Sequence, residues 1–325
     1  MSNNIFPKKL NVGDEIRVVA PAKGFKPSFT EEKKTKAIER LAAIGLKVSF
    51  GKHVNEVDEF ESTTVEHRLK DLHDAFSDKK IKAILTVLGG TTSNQLLRYL
   101  DYQCIKNNPK ILCGLSDITS LANAIHTKTG LVTYSGPHFT LFGEEKQVDY
   151  TIEYFRKCLF TDEAMELRPS KQFCNKKGDD EEIMNEGYWA INKGSAEGRI
   201  VGGNLVTLNL LQGSEYMPDL SNAVLFLEDN DKESIRAVEN HLQSLINQPN
   251  FGKVKGIVFG RFQFGTSMTR ALLTKIVQTK KELEKVPVIA NVDFGHTTPM
   301  ITFPIGGMVK ISAGDGAVKI EIVKH

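Results

Sequence analysis

Along the first half of the chain, short runs of β-branched and aliphatic residues alternate with longer stretches whose apolar positions recur at helical spacing. The pattern predicts strands over 16–20, 82–88 and 111–114, and helices over 31–46, near 93–99 and over 118–129. This rhythm implies βαβ units around a mostly parallel sheet. In such sheets, ligands bind in the loops beyond the carboxyl ends of the strands. Three marked loops lie there: Pro21-Ala22-Lys23-Gly24, Gly89-Gly90-Thr91-Thr92 and Leu115-Ser116-Asp117.

Between Thr161 and Lys193 the periodicity fades, and the run Lys176-Lys177-Gly178-Asp179-Asp180-Glu181-Glu182 reads as a solvated surface loop. From Gly194 the alternation resumes. Val201 leads into a helix through Leu211, followed by strands over 223–227 and 254–259, helices over 232–246 and 268–281, and strands near 286–290, 308–312 and 318–323. The expected fold class is therefore α/β: an N-terminal α/β domain over 1–165 with a mostly parallel sheet, a linker and surface loop over 166–193, and a smaller C-terminal α/β domain over 194–325 with additional strands.

Charge narrows the functions available. With 42 basic and 40 acidic side chains the net charge is +2, too small for a whole-molecule field that would hold nucleic acid or an anionic membrane. The four cysteines, Cys104, Cys113, Cys158 and Cys174, form no CxxC pair and read as free thiols in a reducing compartment. No segment approaches the roughly 20 apolar residues of a membrane span, and the first residues lack a signal-peptide apolar run. A cytoplasmic location is expected. No HExxH, GxxxxGK[ST] or helix-opening GxGxxG is present, so no metal and no dinucleotide cofactor is expected.

The segment Ile111-Leu112-Cys113-Gly114-Leu115-Ser116-Asp117-Ile118 reads as strand, sharp turn, helix, the geometry that exposes a serine nucleophile beside a helix N-terminus. The same pattern suits a simple helix cap at Ser116 or Asp117, and Ile118 breaks the related GxSxG spacing. A serine needs a base. His53, His67, His73, His241 and His325 sit in polar or helical surroundings that suggest exposed surface, and His126 within a helix reads as structural. His138, after Ser135-Gly136-Pro137, and His296, in a loop of turn residues and small polar groups, could each line a site. Glu228 ends the apolar run Ala223–Leu227 and could orient an imidazole, or simply face solvent. Gly89-Gly90 allows close backbone approach to a substrate and, with the Asp117 amide, could complete an oxyanion hole, or form an ordinary turn.

An ordered series of segments goes further: Val18-Val19-Ala20-Pro21-Ala22, Gly89-Gly90 followed by Asn94-Gln95-Leu96-Leu97, Gly114-Leu115-Ser116-Asp117-Ile118-Thr119, Ser135-Gly136-Pro137, Gly198-Arg199-Ile200-Val201-Gly202-Gly203-Asn204-Leu205, Phe226-Leu227-Glu228-Asp229, and Phe294-Gly295-His296 with Pro304-Ile305-Gly306-Gly307. Spanning nearly the whole chain, it resembles the LD-carboxypeptidase family of serine peptidases, which includes the microcin C immunity peptidases. The resemblance implies Ser116 as nucleophile, Glu228 as orienting acid and His296 as base, an oxyanion hole from the Gly90 and Asp117 amides, a triad split across two domains, and a homodimer. Leu115 departs from the family, where an aromatic residue often precedes the serine; this bears on pocket shape.

Two substrates fit the resemblance. One is an aminoacyl-adenylate-like compound, whose amide is cleaved for self-immunity or detoxification. The other is a peptidoglycan tetrapeptide that loses its terminal D-alanine. The Gly90–Leu97 run, with Asn94, and the segment around Trp189 look more like the immunity branch, where a loop tryptophan stacks on the nucleobase. Trp189 could instead pack the linker onto the core. Lys23 and Arg199 are candidates for binding a substrate carboxylate. A binding module that sequesters such small-molecule or short-peptide ligands without cleaving them is a further reading.

Overall fold

The computed structural model describes residues 4–26, 28–179, 181–314 and 317–325; Asp180 of the charged run lies outside them. Two sheets organise the chain. The first runs, edge to edge, Phe303–Ile305, Thr133–Ser135, Ile111–Gly114, Ile81–Thr86, Glu15–Val19 and Lys47–Phe50. Its last five strands are parallel, and Phe303–Ile305 joins antiparallel from the far end of the chain. The second sheet holds a parallel centre of Gly194–Asn204, Ala223–Glu228, Gly256–Gly260 and Val288–Val292. Antiparallel strands flank it: Met308–Ala313, Val318–Lys324 and Met165–Glu166 on one side, Trp189–Asn192 on the other.

The α/β class and the two-unit architecture follow the apolar pattern. Central strands such as Ala223–Glu228 and Gly256–Gly260 are buried along their whole length, as parallel strands covered on both faces must be. The Ile111–Gly114 strand and Ile118–Thr129 helix begin and end where the sequence predicts. The helix expected near 93–99 is only a 3₁₀ turn, Ser93–Leu96, whose leading amides, those of Thr92 and Ser93, donate to the Asp117 carboxylate at 3.0 and 2.9 Å. Within 166–193, expected to be linker and surface loop, the hairpin of Gln172–Phe173 with Ile183–Met184 and the edge strand Trp189–Asn192 form instead. Pairing with Val288–Val292 satisfies backbone groups that a polar composition alone would leave to water. With Met165–Glu166 added as well, the second sheet has eight strands to the first sheet's six. Among the described residues, no helix is long and apolar enough to cross a membrane.

The two sheets meet at the helix that follows Ser116. Gly203 has φ +122°, and a Cβ there would overlap the Thr119 hydroxyl, so only glycine lets the Gly194–Asn204 strand end come this close. The contact is then locked. The Asn204 amide donates to Thr119 Oγ1 at 2.9 Å and Asn123 Nδ2 donates to the Gly202 carbonyl at 2.9 Å. This junction fixes the carboxyl ends of both parallel sheets against each other.

Candidate active site

Ser116 follows the Ile111–Gly114 strand with φ +63°, a left-handed conformation that costs a non-glycine residue about 1–3 kcal/mol. The turn raises its hydroxyl above the sheet, and the helix closes behind it through Thr119 N–H to the Ser116 carbonyl at 2.9 Å. Neither side chain caps this helix. Ser116 Oγ lies 3.0 Å from His296 Nε2, while the buried Asp117 carboxylate turns away to hold the Thr92 and Ser93 amides. Among the described residues, the Gly90 and Asp117 amides donate no hydrogen bond within the protein, which leaves both free for an oxyanion.

Glu228 ends its strand with 1% exposure. Its Oε2 lies 2.7 Å from His296 Nδ1. A buried carboxylate accepts here, so Nδ1 carries the proton and Nε2 presents a lone pair to the serine hydroxyl. Gly295, at φ +108°, makes room for the pair, since a Cβ there would lie 2.8 Å from Glu228 Oε2. Burial of the imidazole works to lower its pKa, but the charge and hydrogen bond of Glu228, helped by Asp229 and Asp231, outweigh it and the net direction is upward.

Asp229 is fully buried beside Glu228. Burial, then the neighbouring Glu228 charge, push its pKa up to about 7. One oxygen accepts from Asn204 Nδ2 at 3.1 Å and from the Asn230 amide at 3.0 Å, and the other has no partner. His138 takes no part as a base. Burial first, then Lys177 and His296, lower its pKa to about 3, and its Nδ1 lies 2.7 Å from Thr86 Oγ1.

A cavity of about 480 Å³ opens over Ser116 and His296. Of the residues predicted from sequence, Ser116, His296, Gly90, Asp117, Lys23 and His138 line it, with Glu228 directly behind His296. Lys23 is ion-paired with Glu61, which reduces its availability to a substrate. Three predicted substrate contacts are placed elsewhere. Asn94 is exposed on the 3₁₀ turn, and Arg199 donates to the Asp219 carbonyl at 2.6 Å beside the buried His126. Trp189 lines a separate cavity of about 320 Å³ with Phe173, Phe264 and Arg270, away from the serine. Their positions came from resemblance and sequence order, neither of which carries the direction of a side chain.

Sequence reasoning missed Asn204, Lys176, Lys177 and Lys232, all of which line the cavity over Ser116. Lys176 and Lys177 belong to the charged run read as a solvated loop. That loop folds back so that Lys177 donates to Thr140 Oγ1 at 2.7 Å and pairs with Glu144 at 3.5 Å. Only Asn204 left a local signal, as the residue closing the Gly-Gly-Asn run.

Comparison with known proteins places this arrangement. Residues 16–136 match the LD-carboxypeptidase N-terminal domain and residues 197–311 the LD-carboxypeptidase C-terminal domain. The putative carboxypeptidase YocD of Bacillus subtilis is 48% identical, covering 99% of this chain and 100% of its own. A crystal structure of an MccF-like protein from Bacillus anthracis superposes with a TM-score of 0.96 at 46% identity, covering 99% of this chain and 100% of that one. The microcin C7 self-immunity protein MccF of Escherichia coli is 33% identical over 88% of this chain and 87% of its own. A structure of MccF in complex with glutamyl sulfamoyl guanosine aligns with a TM-score of 0.87 at 30% identity, covering 98% of both chains. Matched in both halves by the family's two domains and along the full length of YocD, the chain belongs to the LD-carboxypeptidase family of serine peptidases.

Proposed function

We propose that the protein is a serine hydrolase that cleaves the amide bond of aminoacyl-adenylate-like compounds, with Ser116, His296 and Glu228 as its triad. The observation that carries the reading is the unbroken relay from Ser116 Oγ through both imidazole nitrogens to Glu228 Oε2, at 3.0 and 2.7 Å. His296 Nε2 takes the hydroxyl proton as Oγ attacks the amide carbonyl. The oxyanion is received by the Gly90 and Asp117 amides, an arrangement worth about 10²–10³ in rate per donor. The amine leaves with the proton from His296, and water, activated by the same nitrogen, releases the acyl group.

The substrate class is supported by the likeness to MccF, whose complex holds glutamyl sulfamoyl guanosine, and by a basic cavity wall. Among the described residues the Lys232 ammonium has no acidic partner, whereas Lys23 and Lys176 are paired with Glu61 and Asp231. Lys232 is thus the cation available to an anionic substrate group. The test is mass-spectrometric turnover of an aminoacyl sulfamoyl adenosine beside a muropeptide ending in D-alanine, with wild type and Ser116→Ala. Cleavage of the adenosine compound by wild type only is expected. Cleavage of the muropeptide alone would transfer the protein to wall recycling, and binding without turnover of either would make it a sequestering module.

A further inference from the structure

Away from the cavity, the turn after the Lys47–Phe50 strand docks onto the first two turns of the Val65–Ser77 helix. His67 and Asp71, four residues apart, share one face of that helix. Asp71 accepts three N–H groups from the turn: the amides of Lys52 and His53 at 3.1 and 2.8 Å, and His53 Nδ1 at 2.8 Å. The His53 tautomer is thereby set, with Nδ1 protonated and Nε2 carrying the lone pair. His53 is only 4% exposed, which corrects the surface position its polar neighbours suggested. Its ring stacks on His67 with centroids 4.1 Å apart. Glu56, three residues on and hydrogen-bonded through its amide to the His53 carbonyl, brings Oε2 to 2.6 Å from His67 Nδ1, and Thr63 Oγ1 holds the same oxygen at 2.8 Å.

We propose that His53, Glu56 and His67 form a binding site for one divalent transition-metal ion of the zinc class. A ligand atom from each lies within 4.8 Å of the others. Two imidazoles and one carboxylate suit zinc and its neighbours rather than magnesium or calcium, which prefer oxygen donors throughout. The supporting contacts are those a metal site requires: Asp71 orients His53 from behind, and Thr63 orients Glu56. An ion lies in the plane of each imidazole that binds it, so the His67 ring must turn out of its 18° stack on the fixed His53 ring. His67 and Glu56, with side chains 40% and 44% exposed, have the room to turn and close the remaining distance, and their solvent side leaves a fourth position for water. In the metal-free arrangement a proton links His67 and Glu56, and the ion takes its place.

The site braces the wall of the active cavity. The 51–64 segment reaches the loop carrying Lys23 through Ser62 Oγ to the Ala22 carbonyl at 2.7 Å, the Phe25 amide to the Val54 carbonyl at 3.0 Å, and the Lys23–Glu61 pair. A metal would staple this segment to the helix and stabilise the native state by binding it selectively.

Isothermal titration calorimetry of the full, chelator-treated, reduced chain with zinc chloride tests the site, with the thermal midpoint followed in parallel. Wild type is expected to take up one equivalent with a rise in Tm. His67→Ala and Glu56→Gln, both at exposed side chains that leave the fold intact, should bind at least about tenfold more weakly and lose the rise in Tm. Absence of saturable binding to wild type overturns the proposal. So does unchanged affinity in His67→Ala, which would put the ion elsewhere, for example on Cys104.

Discussion

His296 meets Glu228 at 2.7 Å and His53 meets Asp71 at 2.8 Å, in both cases through Nδ1 to a carboxylate no more than 5% exposed. The two pairs are chemically alike, and they differ in what the opposite nitrogen faces. His296 Nε2 faces a strained serine hydroxyl in an open cavity. The His53 ring lies against a second imidazole and close to a glutamate. A histidine–carboxylate pair therefore fixes a tautomer and favours the charged ring, but does not by itself define a role; the group that meets the free nitrogen decides whether the pair is placed to move a proton or, as proposed for His53, to hold an ion.

Removing the serine breaks the comparison on one side most severely. Ser116→Ala should reduce kcat by at least about 10⁴-fold, since members of a triad fail as a unit. It does not release the left-handed strain, because alanine is no more at ease at φ +63°. A normal thermal midpoint with lost turnover is expected, and near-normal turnover in mass-spectrometric assays would exclude Ser116 as nucleophile.

Equivalent substitutions in the two carboxylates sharpen the contrast. Glu228→Gln keeps the shape but removes the charge that stabilises the imidazolium, and kcat should fall by about 10³–10⁴. The pH profile should change with it. In wild type the raised pKa of His296 places the acid limb of kcat/KM above the ordinary histidine value of about 6.5, because the base must be neutral to accept the serine proton. Without Glu228 the downward effect of burial dominates, and the limb should move to lower pH. An acid limb unmoved or displaced upward in the variant would sink this assignment. Asp71→Asn, by contrast, should leave kcat near normal and lower the thermal midpoint by several degrees. It disturbs an acceptor of three N–H groups buried at 5% exposure, a loss of about 1–3 kcal/mol.

The same two regions show what a sequence can disclose. The Ser116 elbow was legible as a candidate because strand, turn and helix are contiguous, and Glu228 as a carboxylate closing a buried strand. A helix cap and a solvent-facing glutamate fitted the same patterns, however, and their roles came from the family resemblance along the whole chain. The His53 region was not. Its helix, Val65–Ser77, buries Arg68 and Asp71 among apolar residues, so the charges interrupt the stripe that periodicity detects. The Val148–Phe160 helix escaped for another reason: its inner face carries Val148, Thr151, Tyr154 and Phe155, β-branched and aromatic residues with weak helix propensity. Lys177 was hidden because the loop that carries it has no local signal; contacts with Thr140 and Glu144, more than 30 residues away, bring it to the cavity.

The smallest effect expected concerns a feature that only one of the two pairs possesses, a second buried carboxylate beside the first. Asp229 has its pKa raised from 3.8 to about 7, so in the folded state it holds a proton that the unfolded chain gives up. Its contribution to stability is complete below the unfolded value, declines as pH rises, and is gone once pH passes about 7. Asp229→Asn cannot ionise and escapes that decline. The variant's thermal midpoint should therefore gain on wild type between pH 5 and pH 8, with a free-energy slope bounded by about 1.4 kcal/mol per pH unit. Turnover should change only a few fold, since the asparagine oxygen can still accept from Asn204 and Asn230. Parallel Tm curves for the two proteins across that range would mean that Asp229 is already ionised in the fold, and that Glu228 does not stand beside a protonated neighbour.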